Sequence, residues 1–211
     1  MTKPKTNKAI NPNDKSLKVT ALGGLHEIGK NMFVFECEDE MIIVDSGVYF
    51  PGHDSPGIDY TMADYNYLIK RSDKVKALFV TSVDDFHIGG AHHVITKLNI
   101  KKIYGSKLAL ELLKVKLGSA NAQKREWYDY TSRQTIKESP FEVTPIFMTS
   151  NSHANYSLHI KANGSSVFYS GSFKIDQTPI DNVKTDIVGI TEIGCEARER
   201  GEGVDLYLGD S

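Results

Sequence analysis

The side chains of this chain that could do chemistry are few and dispersed: seven histidines, two cysteines and a scatter of carboxylates over 211 residues. Cys37 and Cys195 lie far apart and form no CxxC pair, which argues against both a disulfide framework and a thiolate zinc site and suits a reducing cytosol. The glycines of GGLHEIGK, residues 23–30, suggest a phosphate loop, but they match neither the GxxxxGK[ST] pattern nor Rossmann spacing; a tight corner between two strands accounts for them better. His92 and His93 are neighbours on a predicted helix, so their side chains leave its axis about 100° apart and should not both face one ion; surface or packing roles are expected. Asp45 closes the apolar run IIVDSG and reads first as a turn former. Trp127, Tyr128 and Tyr130 have faces on which bases could stack, though clustered aromatics more often fill a core. Lys3, Lys5, Lys8, Lys15, Lys18, Lys101, Lys102 and Lys107 could touch phosphates and otherwise form a solvated face.

These residues have to be positioned by strands first and helices second. Residues 1–16 are polar, contain Pro4 and Pro12, and bury too little apolar surface to offset ordering entropy; a disordered tail is expected there, with the domain running over 17–211. LKVTALGG, NMFVFECED and MIIVDSG read as an opening meander. Tyr65, Leu68 and Ile69 predict a helix over 61–71. VKALFVTS is a continuous apolar run of the kind found in a strand buried on both faces, and it ends in a polar loop. Helices are predicted over 90–98 and 107–117 with the short strand IKKIYG between them. REWYDYTSRQTIKES shows no clear period, whereas FEVTPIFMTS, YSLHIKANGSSVFYSGS and VDLYLGDS are strand-like, with Asn163-Gly164 as a hairpin turn. The sum is a mixed α/β chain led by strands, with no internal repeat.

Several stretches together resemble ribonuclease J of the metallo-β-lactamase superfamily: ALGGLHEIGKNMFVFE, IIVDSGVYFP, GIDYTMADYNYLIK, VKALFVTS, HIGG, IYGSKLALELLK and YSGSFKIDQTPID, over about residues 17–211. The resemblance implies an αββα sandwich, here its N-terminal half, because in that family a nucleic-acid-gripping β-CASP domain is inserted before the second half completes the fold. Ending at LYLGDS, the chain is expected to have an incomplete core and an exposed edge that invites a partner, and to be a fragment or one part of a split protein.

The resemblance also implies a dinuclear zinc site. An HxHxDH loop supplies imidazole and carboxylate donors at zinc-bonding distance, and two ions activate water and steady the phosphate charge. In TSVDDFHIGG, Ser82, Asp84 and Phe86 stand where the first His, the second His and the Asp are expected, and only His87 matches. The next His falls on Ser150, or on Asn151 with a one-residue shift, and the bridging Asp on Ser172. Asp84 with His87 are the candidate ligands for one residual zinc or manganese ion, with Asp85 or His153 as possible additions; otherwise no cofactor is expected. By the same resemblance Asp45 would orient the loop.

Composition bounds the rest. With 40% hydrophobic and 25% charged residues the chain can bury one sizeable core, and a formal net charge of −2 gives no global attraction to polyanions. No stretch approaches the roughly 18 apolar residues of a membrane span. The expected function is that of a catalytically impaired, ribonuclease J-like subunit of RNA processing, a pseudoenzyme pairing in the cytoplasm with an active homologue or with the missing β-CASP-containing part, RNA contact included. Two alternatives stand beside it: a weakly active metal-dependent hydrolase with a remodelled single-ion site, and a protein-interaction module with no RNA role.

Overall fold

A computed structural model describes residues 16–52, 55–176, 178–199 and 203–210. The polar tail and its lysines at 3, 5, 8 and 15 lie outside the described residues.

Two sheets lie between two layers of helix. The first is built from β1 (Lys18–Gly23), β2 (Met32–Cys37) and β3 (Glu40–Val44), the expected antiparallel meander. The small pair β4 (Val48–Tyr49) and β5 (Thr61–Met62) follows, then the helical turn α1 (Asn66–Ile69) and a 3-10 turn at Ser72–Lys74. β6 (Val75–Phe79) joins β3 in parallel. Beyond it come α2 (Asp85–Ile88), α3 (Ala91–Lys97), β7 (Lys102–Gly105), α4 (Lys107–Leu117), α5 (Ser119–Ala122) and β8 (Glu126–Asp129), giving the order β1-β2-β3-β6-β7-β8. The second sheet contains β9 (Ile136–Glu138), β10 (Phe141–Met148), β11 (Asn155–Ala162), β12 (Ser165–Tyr169) and, after α6 (Ile187–Glu199), β13 (Leu206–Leu208), in the order β13-β12-β11-β10-β9.

The alternation of side chains along β2 shows how the layers are held. Met32 and Val34 join Met41, Ile43, Leu78 and the helix residues Leu68, Val94, Leu110 and Leu113 on one face. Phe33 and Phe35 face the other way and meet Phe141, Val143, Leu158 and Ile160 between the sheets. Because both faces are covered, these strands are apolar at consecutive positions rather than alternately. A third, smaller cluster of Ile146, Met148, Phe168 and Ile193 seats α6 on the second sheet.

The Asn163-Gly164 turn forms as expected: both residues have positive φ (47° and 82°), the backbone a type I′ hairpin demands, and Ala162 pairs with Ser165. The helix predicted over 61–71 shrinks to Asn66–Ile69, because Met62 is taken into the pair with Val48 and the Asp64 carboxylate accepts the Asn66 N–H at the start of the turn. The aperiodic stretch after Arg125 supplies β8 and β9. In the aromatic cluster, Tyr130 is buried, Trp127 donates to the Ala122 carbonyl at 3.0 Å, and Tyr128 stacks on Tyr104 with 4.9 Å between ring centres. Lys102 is engaged by Glu138, at 2.8 Å and 3.1 Å.

Candidate functional site

The ends of β3 and β6 lie side by side in a parallel pair, so the loops that leave them converge. Asp45, directly after β3, is fully buried and adopts a φ of 60°. Its carboxylate gathers four donors. Oδ1 accepts the Thr81 N–H at 2.8 Å, while Oδ2 accepts the Thr81 hydroxyl at 2.6 Å, the Tyr169 hydroxyl at 2.9 Å and His87 Nδ1 at 2.8 Å. Thr81 lies just after β6 of the first sheet and Tyr169 ends β12 of the second, so one carboxylate ties both sheets to the loop that carries His87. Asp45 therefore forms the turn and also orients the loop, joining two roles that the sequence presented as alternatives.

The loop is pinned through its backbone as well. Ser46 N–H donates to the His87 carbonyl at 2.8 Å, and the Phe86 carbonyl accepts both the Asn31 N–H at 3.1 Å and the Asn31 side-chain amide at 3.2 Å. A Cβ at residue 47 would overlap the Phe86 carbonyl oxygen, so only glycine permits this approach.

His87 is buried, and burial by itself favours the neutral ring. The Asp45 carboxylate, by charge and by hydrogen bond, outweighs that with help from Asp84 and Asp210, so the His87 pKa rises above its ordinary 6.5. Burial foremost, and then Asp45, push the Tyr169 phenol well up, so it remains a donor at any physiological pH. With Nδ1 committed to Asp45, Nε2 is left toward the cleft, 3.5 Å from the Asn31 amide nitrogen.

Beside it Ser82 donates to Asp84 Oδ2 at 2.7 Å, and Ser152 approaches the same oxygen at 3.3 Å. Asp84 Oδ1 is enclosed and has no hydrogen-bond partner among the described residues. Asp84, Phe86, His87 and Ser172 all line a cleft of about 740 Å³. The Phe86 ring is 38% exposed and meets Phe50 edge to face at 6.2 Å.

The other candidates lie elsewhere. Ser150, Asn151 and His153 line a neighbouring cavity of about 430 Å³, and His153, largely exposed, approaches Asp181 at 3.4 Å. Asp85 pairs with Lys116 at 3.0 Å. His92 and His93 do not diverge as the helical angle alone suggests: their ring centres are 3.9 Å apart, with His93 Nε2 held 2.8 Å from the Tyr60 hydroxyl. Side-chain torsions bring the rings together despite the divergent Cβ directions. Sequence reasoning overlooked Asn31, Thr81 and Tyr169. Only the position of Asn31 within EIGKN and of Thr81 at the end of a buried strand could have drawn attention to them.

The donors present do not fit two zinc ions. Zinc sites need three or four imidazole, thiolate or carboxylate donors, and among the described residues no group of three or more His, Cys, Asp or Glu is placed to hold an ion. Ser82 is spent on Asp84, and the Phe86 ring has no lone pair to offer.

A sandwich of two sheets flanked by helices, with loops converging at the ends of β3, β6 and β12, defines a metallo-β-lactamase fold. Solved structures bear this out. The metallo-β-lactamase-fold protein YhfI from Bacillus subtilis matches with a TM-score of 0.55 at 15% identity over 92% of this chain and 88% of its own. A Cronobacter sakazakii metallo-β-lactamase with a HARLDQ motif matches at 0.51 and 13% identity over 84% and 70%.

Within that fold the chain is homologous to ribonuclease J. It is 34% identical to ribonuclease J of Mycolicibacterium smegmatis over 92% of its length, 37% identical to that of Synechocystis sp. over 96%, and 36% identical to ribonuclease J2 of Bacillus subtilis over 94%. It spans only about a third of each: 34%, 31% and 35% respectively. No protein-family model matches the chain.

Proposed function

We propose that this chain is a non-catalytic, ribonuclease J-like component of RNA processing that binds RNA without a metal centre and works beside an active homologue or the remainder of a ribonuclease J-like assembly. The observation that carries the reading is the poverty of donors: the Ser82 hydroxyl is engaged by Asp84, the Phe86 ring stands where the resemblance calls for a ligand, and His87 Nε2 is the one imidazole nitrogen of that loop left toward the cleft. Loss of a single supporting partner around a metal typically costs about 10- to 100-fold in affinity or activity, and here the ligands themselves are replaced. No helix among the described residues is long and apolar enough to cross a membrane. Cys37 is buried and Cys195 exposed, with no disulfide between them, an arrangement that suits a reducing cytoplasm.

The test is elemental analysis of the purified chain after incubation with zinc and with manganese, joined to a 5′-exonuclease assay of the chain alone and mixed with an intact ribonuclease J. The proposal expects less than one ion per chain, no hydrolysis alone, and co-purification with the active protein. Two ions per chain, or RNA hydrolysis by the chain alone, would overturn it.

A further inference from the structure

The cleft that lost its metal donors has features that suit a different ligand. Phe86 lines the cleft with its side chain partly exposed, and its backbone is pinned. Its own carbonyl is held by both nitrogens of Asn31, Gly47 backs the peptide with no room for a side chain, and a Cβ on Gly29 would stand 2.8 Å from the ring carbon Cδ1. Phe50 supports the ring edge to face. A preorganised, 38% exposed aromatic face at a cleft wall is what a flat, unpaired ring stacks on, with little ordering entropy to oppose binding.

The polar groups beside that face select the kind of ring. Among the described residues the cleft is lined by the carboxylates of Asp84, Asp210 and Glu27, the last paired with Lys30 at 2.7 Å, and by no lysine or arginine. Metal ions would have balanced such charge against a phosphate; without them a phosphate placed there is repelled. Carboxylates accept hydrogen bonds and donate none. Asp84 Oδ1 is enclosed beside the cleft without a donor among the described residues, so an N–H reaching it after a small rotation of the carboxylate would satisfy a buried acceptor. Asn31 Nδ2, 3.5 Å from His87 Nε2, adds a donor and completes a mixed edge.

We infer that Phe86, Asp84 and Asn31 form a binding site for a single unpaired nucleobase, stacked on the phenyl ring with its N–H edge turned to the carboxylate and its phosphates held outside the cleft. The inference rests on the RNA-binding part of the proposed function and adds the chemistry of the bound group. In it the substitution at position 86 replaces ion binding by base binding rather than merely deleting a ligand.

The test is fluorescence anisotropy with a labelled, short single-stranded RNA and with the same oligonucleotide carrying abasic sites, which keeps the phosphates and removes the rings. The chain should bind the base-bearing RNA about tenfold or more tightly than the abasic one. Phe86→Ala should erase that preference and Phe86→Trp should keep it, so that a folding defect in the alanine variant cannot pass for an effect on stacking. Asp84→Asn should weaken base-bearing RNA, whereas a phosphate in the cleft would bind that variant more tightly. Equal affinity for the two oligonucleotides, an unaltered preference in Phe86→Ala, or tighter binding by Asp84→Asn overturns the inference while leaving RNA binding in place. Absence of binding to either oligonucleotide overturns both this site and the RNA role, and would favour a protein partner at the same face.

Discussion

Removing the Asp45 carboxylate should be among the most damaging single changes in this chain. The side chain is fully buried and accepts four donors, from Thr81 twice, from Tyr169 and from His87. Hydrogen bonds to a charged group contribute about 1.5–3 kcal/mol each, so the gross interaction is large, but the four are coupled and the neighbours relax. Breaking one partner out of a buried ionic arrangement is the better guide, and gives a loss of about 3–5 kcal/mol for Asp45→Ala. Asp45→Asn should cost roughly half as much, because the two hydroxyls can rotate to accept from the new amide and the imidazole can move its proton to Nε2. With a urea slope of about 2 kcal/mol per M, the alanine variant should unfold at a midpoint lower by about 2 M.

The His87 contribution gives a second readout of the same network. Its pKa is raised in the fold, so its stabilisation is fully present below its ordinary value of 6.5 and is lost as pH climbs through the raised value. The wild-type urea midpoint should therefore fall across that window, and the asparagine variant should show a flatter profile. An alanine variant whose midpoint stays within about 0.5 M of wild type, or an asparagine variant as damaged as the alanine one, would refute this account of the joint between the sheets.

Two other outcomes follow from particular contacts. Gly47→Ala places a methyl group against the Phe86 carbonyl and should cost about 3 kcal/mol or more, read as a large drop in thermal midpoint or in soluble yield; a melt within about 2 °C of wild type would contradict the packing described. Asp186 is held to a pKa of about 2, first by its hydrogen bond with Arg133 and then, against the cost of burial, by the Gly189 N–H and the Ser132 hydroxyl. A depressed carboxylate stabilises above its unfolded pKa and loses that as pH falls, so Asp186→Asn should flatten acid unfolding between about pH 4 and pH 2, an effect kept modest by the exposure of Arg133. An unchanged acid limb in the variant would show that the pair does not couple to folding.

Much of the fold was legible in the residues. The opening meander, the buried run that becomes β6, the helix Lys107–Leu117 and the Asn163-Gly164 turn are each set by local period or by a backbone requirement that few residues meet. Where the reading failed, the deciding contact was distant in sequence. The helix predicted over 61–71 was cut short by strand pairing with Val48, and the stretch 126–138 gained its strands only from partners in β7 and β10.

The site divides along the same line. Residue types alone say that the hydroxyls of Ser82 and Ser172 and the ring of Phe86 are poor metal donors, because donor chemistry belongs to the side chain wherever it sits. That Asp45 reaches across 42 positions to His87 and across 124 to Tyr169, and that Ser150, Asn151 and His153 open on a different cavity from Asp84, is set by how two sheets pack. Such placements follow from the burial of apolar faces on either side of the sandwich, a property of the whole chain that no short stretch of it encodes.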